Sequence, residues 1–164
     1  MSDVVDIDPI EFRRALSHLP TGVTVLTAHG LNGPVGMAAN SITSVSLDPP
    51  LILVCPAKSS STWPAIRQAG SFCVNIMASH HEGLTRQFAA RDTERFVGVD
   101  HSSRRTGPAL SEAIAWIECV IQDEHDAGDH TIVVARVVGL DAVGESDPLV
   151  FFRGQYGSFR ASDV

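Results

Sequence analysis

The 164-residue chain has no run of lysine or arginine that could track a phosphate backbone. Its densest basic stretches are pairs, such as Arg104 and Arg105 or Arg13 and Arg14, and its formal net charge is −7. An acidic protein without a basic patch is not expected to bind nucleic acid. No stretch approaches about 18 uninterrupted apolar residues, and the acidic beginning MSDVVDIDPIEF has no apolar h-region. Neither a membrane span nor secretion is therefore expected. Cysteine is scarce: Cys55, Cys73 and Cys119 are odd in number, lack CxxC spacing and each lie inside an apolar run. That pattern predicts buried free thiols rather than disulfides or a zinc cluster, and with them a reducing, cytoplasmic setting.

Several catalytic signatures are missing as well. There is no GxSxG elbow for a serine nucleophile, no HExxH, no GxGxxG, and no electropositive, open setting for a nucleophilic thiol. Internal repeats of 20 to 50 residues and low-complexity segments are absent too. What remains is a chain with 44% hydrophobic and 19% charged residues, long enough to bury a core as one domain.

Asp8, Pro9 and Glu11 open a predicted helix carrying Phe12, Ala15, Leu16 and Leu19 at helical spacing, stopped by Pro20. Residues 21–30 read as a β-branched strand, a turn follows at Gly30 to Gly33, and 34–47 continue extended, so a hairpin is expected. Breakers at Asp48, Pro49 and Pro50 precede a short apolar strand over 51–56. A helix is predicted over 59–70, a strand over 71–77, a helix over 79–91 capped by Ser79, and loop over 92–110. Three long strands are expected at 113–125, 130–143 and 148–159. Short strands separated by turn signals, with small helices inserted, point to a mainly β antiparallel barrel rather than a parallel βαβ sheet.

Three segments could carry chemistry. In EHDAGDHTIVV (124–134), His125, Asp126, Asp129 and His130 crowd a glycine turn. A metal site is disfavoured, because a tight turn throws its two arms to alternating faces and no second histidine pair supports it. Asp126, Gly128 and Asp129 read as turn formers and His125 as solvated, whereas His130 begins an apolar strand and keeps a functional reading. GMAANSITSVS (36–46) carries no long charged side chain; it is either a crowded strand crossing or a surface that a flat ligand can approach closely. CPAKSSSTWPAI (55–66) sets Lys58 and four hydroxyls at a helix start, as plain capping or as an anion site.

PTGVTVLTA (20–28), GMAANSITSVSLDPPLILVCPAKSSST (36–62), GSFCVN (70–75), RQFA (86–89), GDHTIVVARV (128–137) and PLVFFRGQY (148–156) follow one another in this order. The series resembles the flavin reductase-like domain family, the short-chain NAD(P)H:flavin oxidoreductases that serve two-component monooxygenases, over about residues 10–157. The resemblance implies a Greek-key split β-barrel akin to FMN-binding barrels, a homodimer, and FAD or FMN reduced by NADH or NADPH for a partner flavin-dependent oxygenase. It places Met37, Ala38, Ala39, Asn40 and Ser41 along the isoalloxazine ring. It sets Cys55, Pro56, Ala57, Lys58, Ser61 and Thr62 by the ribityl and phosphate, and Gln87 and Phe88 at a further flavin contact. His130 falls by the nicotinamide, with Arg153, Gly154 and Tyr156 in the closing segment. Many relatives carry Thr where this chain has Ala38, which removes a side-chain hydroxyl from the ring's surroundings.

The chemistry so implied is hydride transfer between two cofactors, which asks the protein to stack rings rather than to supply a strong acid or base. The alternatives are a non-catalytic barrel that stores flavin or haem, and an interaction domain without a ligand. The GDH block and RGQY argue for catalysis over storage.

Overall fold

The Asp8 carboxylate accepts a hydrogen bond from the Ile10 N–H at 2.8 Å, and Pro9 fills the first turn of α1 (Pro9–Leu16). The helix stops at Leu16 rather than at Leu19, since the residue before Pro20 is disfavoured in helical conformation. In this computed structural model the described residues are 6–111 and 113–162. After α1 come β1 (Thr21–Gly22), β2 (Thr24–Gly30), β3 (Gly33–Ala39), β4 (Ile42–Leu47) and β5 (Pro50–Val54). Next are α2 (Trp63–Ala69), β6 (Ser71–Ile76), a 3-10 turn at Ser79–His81 and α3 (Glu82–Ala89). The chain continues with β7 (His101–Ser103), β8 (Pro108–Leu110), β9 (Ala115–Ala127), β10 (His130–Ala142), β11 (Leu149–Phe152) and β12 (Gln155–Ser158).

Seven strands form one antiparallel sheet in the order β3-β2-β6-β9-β10-β5-β4. The expected hairpin of β2 and β3 is present, with Gly30 opposite Gly33. The extended run expected over 34–47 is broken, however: β3 pairs with β2 at one edge of the sheet, while β4 pairs with β5 at the other. Asn40 and Ser41 therefore cross from edge to edge, and the barrel is split between β3 and β4.

The helices are shorter than the sequence suggests. Of the expected 59–70 helix only Trp63–Ala69 is helical, because the Ser60 hydroxyl accepts from the Thr62 N–H at 3.3 Å and the Trp63 N–H at 3.1 Å and so fixes the start later. The long loop at 92–110 contains the small hairpin of β7 and β8. The last expected strand is a hairpin, closed by Arg153 (φ 50°) and Gly154 (φ 79°). Two consecutive left-handed residues make the tight turn whose twist matches antiparallel strands, and glycine at the second carries no Cβ strain. With β1 these strands form a three-stranded sheet, β1-β11-β12.

Two apolar clusters result. The first, inside the barrel, joins Leu26, Ile52, Val54, Phe72, Val74 and Val133 to Trp63 and Ile66 of α2. The second packs Val23, Val25, Met77, Leu110 and Leu149 around Phe88 of α3. Alternation along β3 decides the allocation: Met37 and Ala39 pack on the first cluster and Ala38 on the second. Phe88 rests directly on β3, where a Cβ on Gly36 would lie 2.8 Å from its ring. No helix among the described residues is long and apolar enough to cross a membrane.

Candidate functional site

The crossing ribbon is pinned on both sides of Asn40. The Thr24 hydroxyl donates to the Ala39 carbonyl at 2.6 Å. The Ser41 hydroxyl donates to the Cys55 carbonyl at 3.2 Å, and the Cys55 N–H donates to the Ser41 carbonyl at 3.2 Å. One arm of the ribbon is thus tied to β2 and the other to the end of β5.

The β9–β10 hairpin is joined to the same place. Ala57 and His130 form an antiparallel bridge, the Lys58 N–H donates to the Asp129 carbonyl at 2.9 Å, and the Thr131 N–H donates to the Pro56 carbonyl at 3.0 Å. The consequence is a cleft of about 360 Å³ lined by Leu26, Val54, the ribbon Met37–Ser41, Cys55, Pro56, Ala57 and His130. Nine residues singled out from the sequence, in three separate segments, meet there.

His130 is oriented by its neighbour, with its Nδ1 2.7 Å from an Asp129 carboxylate oxygen. The hydrogen bond from His130, and after it the imidazole's charge, hold the Asp129 carboxyl below its ordinary value. Asp129 is more than the turn former expected of it. Asp126 is displaced from that reading too: β9 runs to Ala127, the turn is Gly128–Asp129, and Asp126 lies on the strand opposite Thr131, whereas His125, opposite Ile132, is exposed as expected. The Asp126 carboxylate receives an ion pair from Lys58, the chain's single lysine.

The other sequence-derived residues are distributed around this cleft. Lys58 lines an adjoining groove of about 730 Å³ with Trp63, Arg67, Glu124 and His125. Ser61 and Thr62 line a different groove, of about 580 Å³, whose cation is Arg95. The hydroxyl run is thereby divided: Ser60 caps α2, and Thr62 accepts from the Arg95 guanidinium.

Tyr156 borders a small cleft of about 180 Å³ with Ala38, Ala39, Asn40, Thr85 and Phe151, so the ribbon has a cleft on each side. Its ring packs edge-on against Phe151 and lies 4.8 Å below the Arg86 guanidinium. Arg153 and Gly154 stand apart from both clefts, at a hairpin tip where the Arg153 N–H donates to the Ser17 carbonyl at 2.9 Å. Gln87 and Phe88 line neither: the Gln87 amide donates to the carbonyls of Arg95 and Val97, and Phe88 is buried.

Arg95 is a residue that the sequence did not reveal. It sits in the aperiodic 92–110 segment, donates to the Gly36 carbonyl at 2.8 Å and to Ala90, and has its pKa lowered chiefly by burial. Adjacency to His130 was the one available signal for Asp129. Cys55 is partly exposed in the cleft, contrary to the expectation of burial, with burial still raising its thiol pKa. Cys73 and Cys119 are buried and free.

A cleft of this volume is within the usual range for small-ligand sites, about 300–1,000 Å³. Its walls are mostly short side chains and backbone, which suits a flat ring, and the two larger grooves place cations beside it, Lys58 in one and Arg95 in the other. These residues therefore fit a flavin.

Comparison with known proteins points the same way. Residues 16–160 match the family described as flavin reductase like domain. The chain is 42% identical over 151 residues to the reductase subunit HsaB of a flavin-dependent monooxygenase from Rhodococcus jostii, covering 92% of this chain and 77% of that one. It is 42% identical over 157 residues to a Pseudomonas putida flavin reductase, covering 94% and 92%. The NADH:FAD oxidoreductase SgcE6 of Streptomyces globisporus, solved with NAD and FAD fragments, superposes with a TM-score of 0.88 at 33% identity, covering 94% and 96%. With its split barrel, its ribbon-lined cleft and a match over most of its length, the chain belongs to the flavin reductase-like domain family.

Proposed function

We propose that this protein is an NAD(P)H-dependent flavin reductase that supplies reduced flavin to a partner flavin-dependent oxygenase. The carrying observation is the single cleft in which Met37–Ser41, Cys55–Ala57 and His130 converge. Bound flavin supplies the acceptor for a hydride from the reduced nicotinamide. The chain's own residues hold and exclude. The ribbon, pinned at Ala39 and Ser41, offers backbone groups to the ring edge without having to reorganise. Lys58 neutralises a phosphate of the tail. His130, its Nδ1 engaged by Asp129, presents Nε2 to the pyridine nucleotide. No residue of the cleft has to shuttle a proton, which suits a site with one imidazole and otherwise neutral walls.

NADH and FAD are the first pair to test, supported by the name of the Streptomyces globisporus relative. Exposed apolar side chains on β4 and β10, such as Leu47 at 91% and Leu140 at 72%, support a homodimer. Free thiols support a reducing, cytoplasmic setting.

The test is steady-state loss of nicotinamide absorbance with each pairing of NADH or NADPH with FAD or FMN. Flavin-dependent oxidation is expected with at least one pair, and none with all four refutes catalysis. His130→Ala raises the KM for the dinucleotide about fivefold, from a net hydrogen-bond contribution of about 1 kcal/mol. Unchanged KM and kcat remove His130 from the site.

A further inference from the structure

The groove beside the cleft has two cations, and a carboxylate of β9 occupies each. Lys58 pairs with Asp126, and Arg67 pairs with Glu124 at 2.7 Å. An incoming phosphate would meet neither cation free. The Lys58–Asp126 pair is also not held by its own attraction alone. The Ala57–His130 bridge and the backbone bonds from Lys58 to Asp129 and from Thr131 to Pro56 fix the two main chains side by side, while the two side chains stay 45% and 81% exposed. Asp126 is thus presented to Lys58 by the framework of the site, close enough to bind it and open enough to swing away.

We infer that Asp126 is an internal competitor for Lys58, a carboxylate that occupies the ammonium when no flavin phosphate is present and weakens the hold on that phosphate when one is. The inference rests on the reading of Lys58 as the phosphate anchor. Its consequence is specific to a protein that must give its product away. Each flavin that leaves is replaced on Lys58 by Asp126 without the ammonium becoming uncompensated, so the return of this pair offsets part of the cost of release. An exposed ion pair of this kind contributes modestly, which suits a trimming role rather than a block.

Whole-protein titrations with FMN and with riboflavin, which has the same ring and no phosphate, separate the contributions. Asp126→Asn is expected to tighten FMN about two- to fivefold, the range open to an exposed pair, to slow FMN release correspondingly, and to leave riboflavin unchanged. Asp126→Ala should do the same. Lys58→Met should weaken FMN toward riboflavin, and on that background Asp126→Asn should have no effect on either ligand. Weakened FMN in Lys58→Met combined with unchanged FMN affinity in both Asp126 variants overturns the competitor and leaves the anchor standing. Unchanged FMN affinity in Lys58→Met overturns both. Equal tightening of FMN and riboflavin also refutes the inference, since it would place Asp126 against the ring.

Discussion

Replacing Asn75 by alanine should cost far more than its size suggests. The side chain is fully buried on β6, with Nδ2 donating to the Val25 carbonyl and the Thr27 hydroxyl, both at 3.1 Å, and Oδ1 accepting from the Leu110 N–H at 2.7 Å. It ties β2, β6 and β8 together from one point. Truncation leaves the Leu110 N–H buried without an acceptor, at a cost of about 1–3 kcal/mol, and removes two further bonds of about 1 kcal/mol each. The Thr27 hydroxyl keeps the Pro108 carbonyl, so only part of that second contribution is lost. The sum is about 3 kcal/mol, a large share of a typical total stability of about 5–15 kcal/mol. The corresponding fall in Tm is about 6–12 °C for a chain of this size.

Urea unfolding followed by tryptophan fluorescence measures the loss as a lower midpoint at unchanged slope. Asn75→Asp is the informative companion. It preserves the acceptor for Leu110 but turns a second acceptor toward the Val25 carbonyl, so it should also destabilise and should recover in part as acid protonates the carboxylate. A loss below about 1 kcal/mol in Asn75→Ala at constant slope would mean that water or backbone movement rescues Leu110, and would refute the reasoning.

Three other outcomes follow from the titrating groups. Burial raises Cys73 and Cys119 from 9.0 to about 12. A thiol with a higher pKa folded than unfolded favours folding fully below the ordinary value and loses that contribution as pH climbs through the folded one. Stability should therefore decline between about pH 9 and 12, less steeply in Cys119→Ala. Ellman's reagent at mildly alkaline pH should reach Cys55 alone in the native protein; prompt reaction of all three thiols contradicts the burial. Asp129→Ala should raise the dinucleotide KM while changing kcat less, because it frees the His130 ring without removing it, and Asp129→Asn should rescue part of the effect. Steady-state kinetics identical to the parent in both variants would show that His130 is oriented by something else.

The strands and the barrel class were legible because apolar runs, turn residues and breakers alternate along the chain. Position of the ribbon was not. Residues 34–47 read as one extended segment, and nothing local says that Asn40 and Ser41 leave β2 for β5; that choice belongs to pairing across the whole sheet. Cleft residues were legible as a resemblance, and the hydroxyl run illustrates the limit. Composition groups Lys58, Ser61 and Thr62, whereas the start of α2 turns them into separate grooves. Arg95 had no signal at all, since a lone arginine in an aperiodic loop acquires its partners only when that loop folds back over Gly36.

The bridge between Ala57 and His130 also ties the cleft to the closing of the barrel. The two halves of the cleft, residues 37–57 and residue 130, are far apart along the chain, and β6, α3 and β9 lie between them. Contacts of such long sequence separation form late and slowly. The bridge continues the pairing of β5 with β10, in which Val54 faces Val133, so the step that closes the apolar barrel also gives the cleft its second wall. Competence to bind flavin should therefore return after denaturation together with the burial of Trp63, which packs in the same cluster as Val54 and Val133.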